Sequence, residues 1–131
     1  RDHSIVGLCP SKRINRCLHI NIRHEKLYFG FYYNDVAGRT DISLNRWIHA
    51  AFVYDFDTQT QTIYLNGIED GQISTTHALD LPLANFTIGT NEGVDFPVNY
   101  FQVPLENILS CCKYKRQIYT QVKKYSRLDN F

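Results

Sequence analysis

Cleavage of a glycosidic bond with retention needs two carboxyl groups about 5 Å apart across the bond. This chain of 131 residues offers few pairs that could be so placed. Glu69 and Asp70 are adjacent at what reads as a hairpin turn, and Glu92 and Asp95 fall in a polar loop. Neither pair is presented on adjoining strand positions over a groove. Serine, histidine and aspartate all occur, yet no serine has the glycine signature of a nucleophile elbow. His49 could act as base or ligand. In an apolar run it reads rather as a core or half-buried histidine hydrogen-bonded to a neighbouring strand. The acidic loops suit a different chemistry: Asn34, Asp35 and Asp41 form one set of hard oxygen donors, and Asn91, Glu92 and Asp95 another. Calcium takes such donors from flexible loops, with solvated carboxylates as the plain alternative. The cysteines fall as Cys9 and Cys17, then the adjacent Cys111 and Cys112. The first two flank a polar loop and each sits beside a strand-like apolar run, so a bridge across a hairpin mouth fits them as well as two buried free thiols. Nothing accompanies them in a zinc-binding pattern.

The elements that must position these groups read as strands. Trp47-Ile48-His49-Ala50-Ala51-Phe52-Val53-Tyr54 is too short and too rich in aromatic and β-branched residues for a buried helix. Asp55, Asp57 and Thr58 interrupt it, Gln61 to Leu65 restarts the alternation, and Asn66-Gly67 supplies the residues of a two-residue mirror-image turn before Ile68 to Ser74. By parity, Ile48, Ala50, Phe52 and Tyr54 with Ile63 and Leu65 face the core, while Trp47, His49, Ala51 and Val53 face the other way. On that second face the small Ala51 would leave room for a sugar ring. Earlier in the chain, Ser4 to Cys9 and Cys17 to Arg23 read as strands, the latter with Leu18, Ile20 and Ile22 inward. Leu27 to Tyr33 follows, with Leu27, Phe29, Phe31 and Tyr33 on one face and Tyr28, Gly30 and Tyr32 on the other. A glycine between two tyrosines suggests a shallow place that a flat ligand could approach, unless a neighbouring side chain fills it. Asn34 to Asp41 reads as loop. Asn85 to Thr90 reads as a strand with Phe86 and Ile88 inward, and Asn85-Phe86-Thr87 is an N-glycosylation acceptor triplet.

The stretch from Trp47 to Gly67 resembles the laminin G-like domains of the concanavalin A-like lectin and glucanase superfamily. The likeness is carried by Trp47, His49, Ala51, Val53, Tyr54 and Asp55, then by Ile63-Tyr64-Leu65-Asn66-Gly67. It extends from about Leu18 to Gly89. The resemblance implies an antiparallel jelly-roll β-sandwich, an extracellular or secretory setting, calcium at a sandwich rim in many members, and a glycan or extracellular protein as ligand. Laminarinases of the superfamily carry a Glu-x-Asp-x-x-Glu run on one strand; no such run exists here. The closing strand of the family pattern is also missing after Phe101.

Aromatic content of 14% and 131 residues suit one sandwich domain with a real core. Residues 1–102 hold 8 basic against 11 acidic residues, net −3, and residues 103–131 hold 6 against 2, net +4. The body therefore offers no basic surface for tracking phosphates, and nucleic acid is not expected as a partner. No run reaches the length of a membrane-spanning helix in the part shown. Leu105, Ile108, Leu109 and Cys112, continued by Ile118, Tyr119, Val122 and Tyr125, recur at helical spacing behind Pro104, which predicts an amphipathic helix over 105–126. The expectation is thus an all-β, concanavalin A-like sandwich over 1–102, incomplete at its C-terminal edge, with a basic helical tail over 103–131. Its expected role is that of a non-catalytic binding module, with Tyr28, Tyr32 and Ala51 as ligand contacts. A degenerate polysaccharide hydrolase and a structural spacer of a larger extracellular protein are the alternatives.

Overall fold

The computed structural model describes residues 2–43, 46–81, 86–89, 98–100, 108–114 and 117–123, the last three segments as backbone. In chain order the strands are β1 (Asp2–Leu8), β2 (Leu18–Arg23), β3 (Lys26–Gly30), β4 (Asp35–Ala37), β5 (His49–Asp55), β6 (Thr60–Leu65), β7 (Ile68–Ser74), β8 (Thr87–Ile88), β9 (Val98–Tyr100), β10 (Ile108–Tyr114) and β11 (Gln117–Lys123). There is no helix among the described residues. One sheet has the order β4-β3-β2-β1-β8, with β9 also pairing β1, and the other has the order β10-β11-β5-β6-β7. All pairs are antiparallel except β1 with β9.

The two sheets face each other through aromatic rings. Phe29 of β3 meets Phe52 of β5 edge-on at 5.7 Å, and Phe31 meets Tyr54 edge-on at 4.8 Å. Such pairs add about 0.5–1.5 kcal/mol each to the burial of the rings. Burial along β5 alternates as the sequence predicts: Ala50, Phe52 and Tyr54 are buried with Ile63 of β6, Ile48 and Leu65 pack against that core, and His49, Ala51 and Val53 are only half-buried. The turn between β6 and β7 is Asn66-Gly67, both residues with positive φ, 52° and 82°.

At one lateral edge the sheets come within backbone contact. A bulge in β7 leaves Asp70 as an extra residue between the pairs Ile63↔Gly71 and Tyr64↔Glu69. Its buried carboxylate accepts the Thr40 amide at 3.0 Å and its carbonyl accepts the Arg39 amide at 2.9 Å, which anchors the segment after β4. A Cβ at Gly71 would lie 2.7 Å from the Ala37 carbonyl oxygen, so β4 and β7 approach only because Gly71 has none.

Two expectations fail. Leu27 to Tyr33 is not one strand: β3 ends at Gly30, and the segment read as loop contains β4. Phe86 and Ile88 are not core residues but 48% and 45% exposed, because β8 is a two-residue strand at the margin of its sheet. Of the span 105–126 expected as a helix, the described backbone at 108–114 and 117–123 is the β10–β11 hairpin, with β11 paired to β5 from Gln117↔Asp55 to Lys123↔His49, and the rest lies outside the described residues. A short apolar stripe rich in β-branched and aromatic residues has weak helix preference, and an unpaired edge beside β5 offers it a ladder. Strands β8 and β9 join the first sheet and β10 and β11 the second.

Replacing Phe52 by Ala should cost about 3–5 kcal/mol in a denaturant melt, while Ala51→Ser on the opposite face should cost a small fraction of that.

Candidate functional site

Between β3 and β4 the chain reverses in two residues, Tyr32 and Tyr33. The Phe31 amide donates to the Asn34 carbonyl at 3.1 Å, closing the hairpin. Both tyrosines have positive φ, 68° and 64°, the requirement of a mirror-image turn. Asn66-Gly67 meets that requirement with the residues that tolerate it; two tyrosines do not, and the left-handed conformation costs an ordinary L-residue roughly 1–2 kcal/mol. His24 and Glu25, between β2 and β3, are also left-handed, but neither carries a large apolar ring. Tyr33 is 80% exposed and Tyr32 half-buried, their rings edge-to-face at 4.9 Å. The turn therefore places an aromatic surface in solvent at a conformational cost that packing does not return.

A buried polar network holds it there. Phe31 plugs the core on one side of the turn, and Asn34 is buried on the other. The Gln61 side chain, fully buried on β6, donates from Nε2 to the Asn34 carbonyl at 2.8 Å, and Asn34 Nδ2 donates to Asn15 Oδ1 at 2.8 Å. The Asn15 amide donates to the Phe31 carbonyl at 2.9 Å. Asp35 fixes the turn from below, its Oδ1 accepting the Phe31 amide at 2.8 Å and its Oδ2 the Tyr28 hydroxyl at 2.9 Å. Strained backbone persists where surrounding contacts over-determine it, as they do here.

The outer face of β2 and β3 continues the same surface. The Arg23 guanidinium lies 4.2 Å from the centre of the Tyr28 ring, a cation–π distance, and His19 stacks on that ring at 5.6 Å. The shallow place expected at Gly30 is filled: a Cβ there would collide with the His19 ring and come within 2.6 Å of Asp35 Oδ1.

Residues 13–107 match the Laminin G 3 family of the concanavalin A-like lectin/glucanases superfamily. The chain belongs to that family. No curated protein and no solved structure matches it. Laminin G-like domains are typically extracellular and bind glycans or proteins, and the disulfide of this one agrees with that setting. No helix among the described residues is long and apolar enough to cross a membrane.

On this laminin G-like domain the residues picked out by sequence are only partly brought together. Tyr28, Tyr32, Asn34 and Asp35 share the corner, whereas Ala51 lies on the outer face of the other sheet, opposite Tyr64 of β6 and Gln121 of β11. With the aromatic core between the two faces, no small ligand touches both. Calcium does not fit Asn34, Asp35 and Asp41 as they stand. The three do not converge: Asp35 faces the Phe31 amide and the Tyr28 hydroxyl, whereas Asp41 pairs with Lys26 at 2.7 Å, at the far end of β3. No three His, Cys, Asp or Glu come together among the described residues. Asn91, Glu92, Asp95 and the acceptor Asn85 lie outside the described residues. His49 is half-buried, its backbone bonded in both directions to Asn66. Cys9 and Cys17 are bridged, their Cα atoms 4.1 Å apart.

Sequence reasoning missed Tyr33, which it placed inward, and the supports Asn15 and Gln61. Alternation gave no signal, because Asn34 falls on the outward face by parity and its burial comes from the turn.

Rebuilding the turn as Tyr32→Asn with Tyr33→Gly should raise stability in a denaturant melt by about 1 kcal/mol, because relief of two left-handed residues exceeds the lost ring pair and the added glycine entropy.

Proposed function

We propose that this domain is a non-catalytic binding module and that Tyr32 and Tyr33 form its contact with a carbohydrate or an extracellular protein. The observation that carries the reading is the strained turn that presents Tyr33 to solvent. A rigid aromatic ring loses little conformational entropy on contact, and a network fixed before binding lowers that cost further. Strained backbone that surrounding contacts hold in place is a feature of binding sites. A neutral sugar ring could lie flat on one tyrosine while the second, nearly perpendicular at 89°, bounds its edge.

The absence of catalysis is part of the proposal. What supports it is the state of the carboxylates near the corner and across the sheet edge: Asp35 accepts two hydrogen bonds, Asp70 holds the Thr40 amide, and Asp80 is paired with Arg16. Each is engaged in holding backbone or a neighbouring side chain. A degenerate hydrolase would use Glu69 or Glu92, and a spacer would use no surface at all.

A glycan array combined with a panel of extracellular-matrix proteins tests the three readings together. Binding should appear on the array or the panel and fall at least tenfold in Tyr33→Ala, the loss expected of a central aromatic contact. A screen for hydrolysis of β-glucans should be blank; turnover that disappears on replacing Glu69 or Glu92 would overturn the proposal, and silence on array and panel would favour the spacer.

A further inference from the structure

The loop between β1 and β2 is short, closed by the Cys9–Cys17 bridge, and reaches the tyrosine turn by two routes. The first is Asn15, buried within that loop and itself left-handed at φ 60°. It donates its amide to the Phe31 carbonyl, accepts the Asn34 side chain at Oδ1, and accepts the Asp80 amide at its own carbonyl, 2.9 Å away. The second is His19, two residues after Cys17. Its Nδ1 lies 3.9 Å from Cys17 Sγ and its Nε2 lies 3.8 Å from Asp35 Oδ1, the oxygen that receives the Phe31 amide. Within the loop the backbone bonds are few: Arg13 amide to Ser11 carbonyl and Arg16 amide to Arg13 carbonyl. Asn15 and the Arg16–Asp80 pair tie the second half of the loop to the sandwich, and the covalent bridge closes its two ends.

We propose that the bridged loop positions the ligand contact, with Asn15 as the positioning residue, so that ligand capture at Tyr32 and Tyr33 requires the oxidised Cys9–Cys17 bond. The inference rests on the reading of those tyrosines as the contact. Opening the bridge frees the loop, Asn15 leaves Phe31 and Asn34, and a turn that is strained without its supports relaxes toward conformations in which the tyrosine rings no longer share a fixed geometry. The chemistry is ordinary exchange with a dithiol. Its thiolate attacks one sulfur, the cysteine bond breaks through a mixed disulfide, the second dithiol sulfur displaces the protein thiol, and the products are two cysteine thiols and a cyclic disulfide. Cys9 is half-buried and Cys17 fully buried, so Cys9 is the sulfur open to attack.

The test compares oxidised protein, protein reduced with dithiothreitol, and oxidised Asn15→Ala, using hydrogen exchange at the Phe31 amide and the same glycan array and matrix panel. Reduction and Asn15→Ala should each speed Phe31 exchange about tenfold or more, the loss of one or two supporting hydrogen bonds, and lower the binding signals by a similar factor. Unchanged Phe31 exchange in Asn15→Ala overturns the proposal, even if the reduced protein unfolds as a whole. Signals that survive reduction but vanish in Tyr33→Ala overturn it alone. Signals that survive Tyr33→Ala overturn the assignment of the contact itself, and with it the dependence on the bridge.

Discussion

One buried amide connects the sandwich to its exposed corner. Gln61 stands on β6 with no solvent exposure, and its Nε2 crosses to the Asn34 carbonyl of the opposite sheet. Its Oε1 has no hydrogen-bond partner, so the bond it does make offsets only part of its desolvation. An apolar residue of the same size would fill the position with less penalty. What Gln61 contributes instead is placement: it fixes Asn34, Asn34 holds Asn15, and both define where the chain must turn. The tyrosines between Phe31 and Asn34 are left with no freedom to choose a cheaper conformation.

The parts of the fold that could be read from sequence are those in which local chemistry and tertiary demand agree. Asn66-Gly67 announces its turn because it is the inexpensive solution, and β5 alternates cleanly because one of its faces is sealed by Phe29 and Phe31 of the opposite sheet. The cysteine spacing allowed a bridge, and the two strands it follows and precedes are paired from Leu8↔Leu18 onward, which brings the thiols together. The turn at Tyr32-Tyr33 was illegible for the opposite reason. Aromatic residues raise strand preference, so a sequence of Leu, Tyr, Phe, Gly, Phe, Tyr, Tyr looks like continued strand until Asn34, and the energy that reverses it comes from contacts with residues 15 and 61.

Of the residues singled out from sequence, Tyr28, Tyr32, Asn34 and Asp35 share the corner. As loop residues Asn34 and Asp35 looked like oxygen donors for a cation. In the fold they are donors and acceptors for backbone, and the charge on Asp35 is met by an amide and a phenol. A carboxylate that accepts a bond at each oxygen helps to hold the turn, and this role depends on where the chain turns, which composition does not contain.

The parallel pairing of β1 with β9 sets an order of events during synthesis. Asp2, His3 and Ser4 leave the ribosome well before their partners Val98, Asn99 and Tyr100, which follow nearly a hundred residues later. At roughly 5–20 residues per second the wait lasts several seconds or more, far longer than a hairpin needs to form. Through that interval β1, with Ile5, Val6 and Leu8 to bury, is joined to β2 on one side and has an unprotected ladder on the other. The nascent chain thus spends its youth as a partial sheet whose open margin any other strand could join, and its safe maturation depends on how quickly its own late strands arrive.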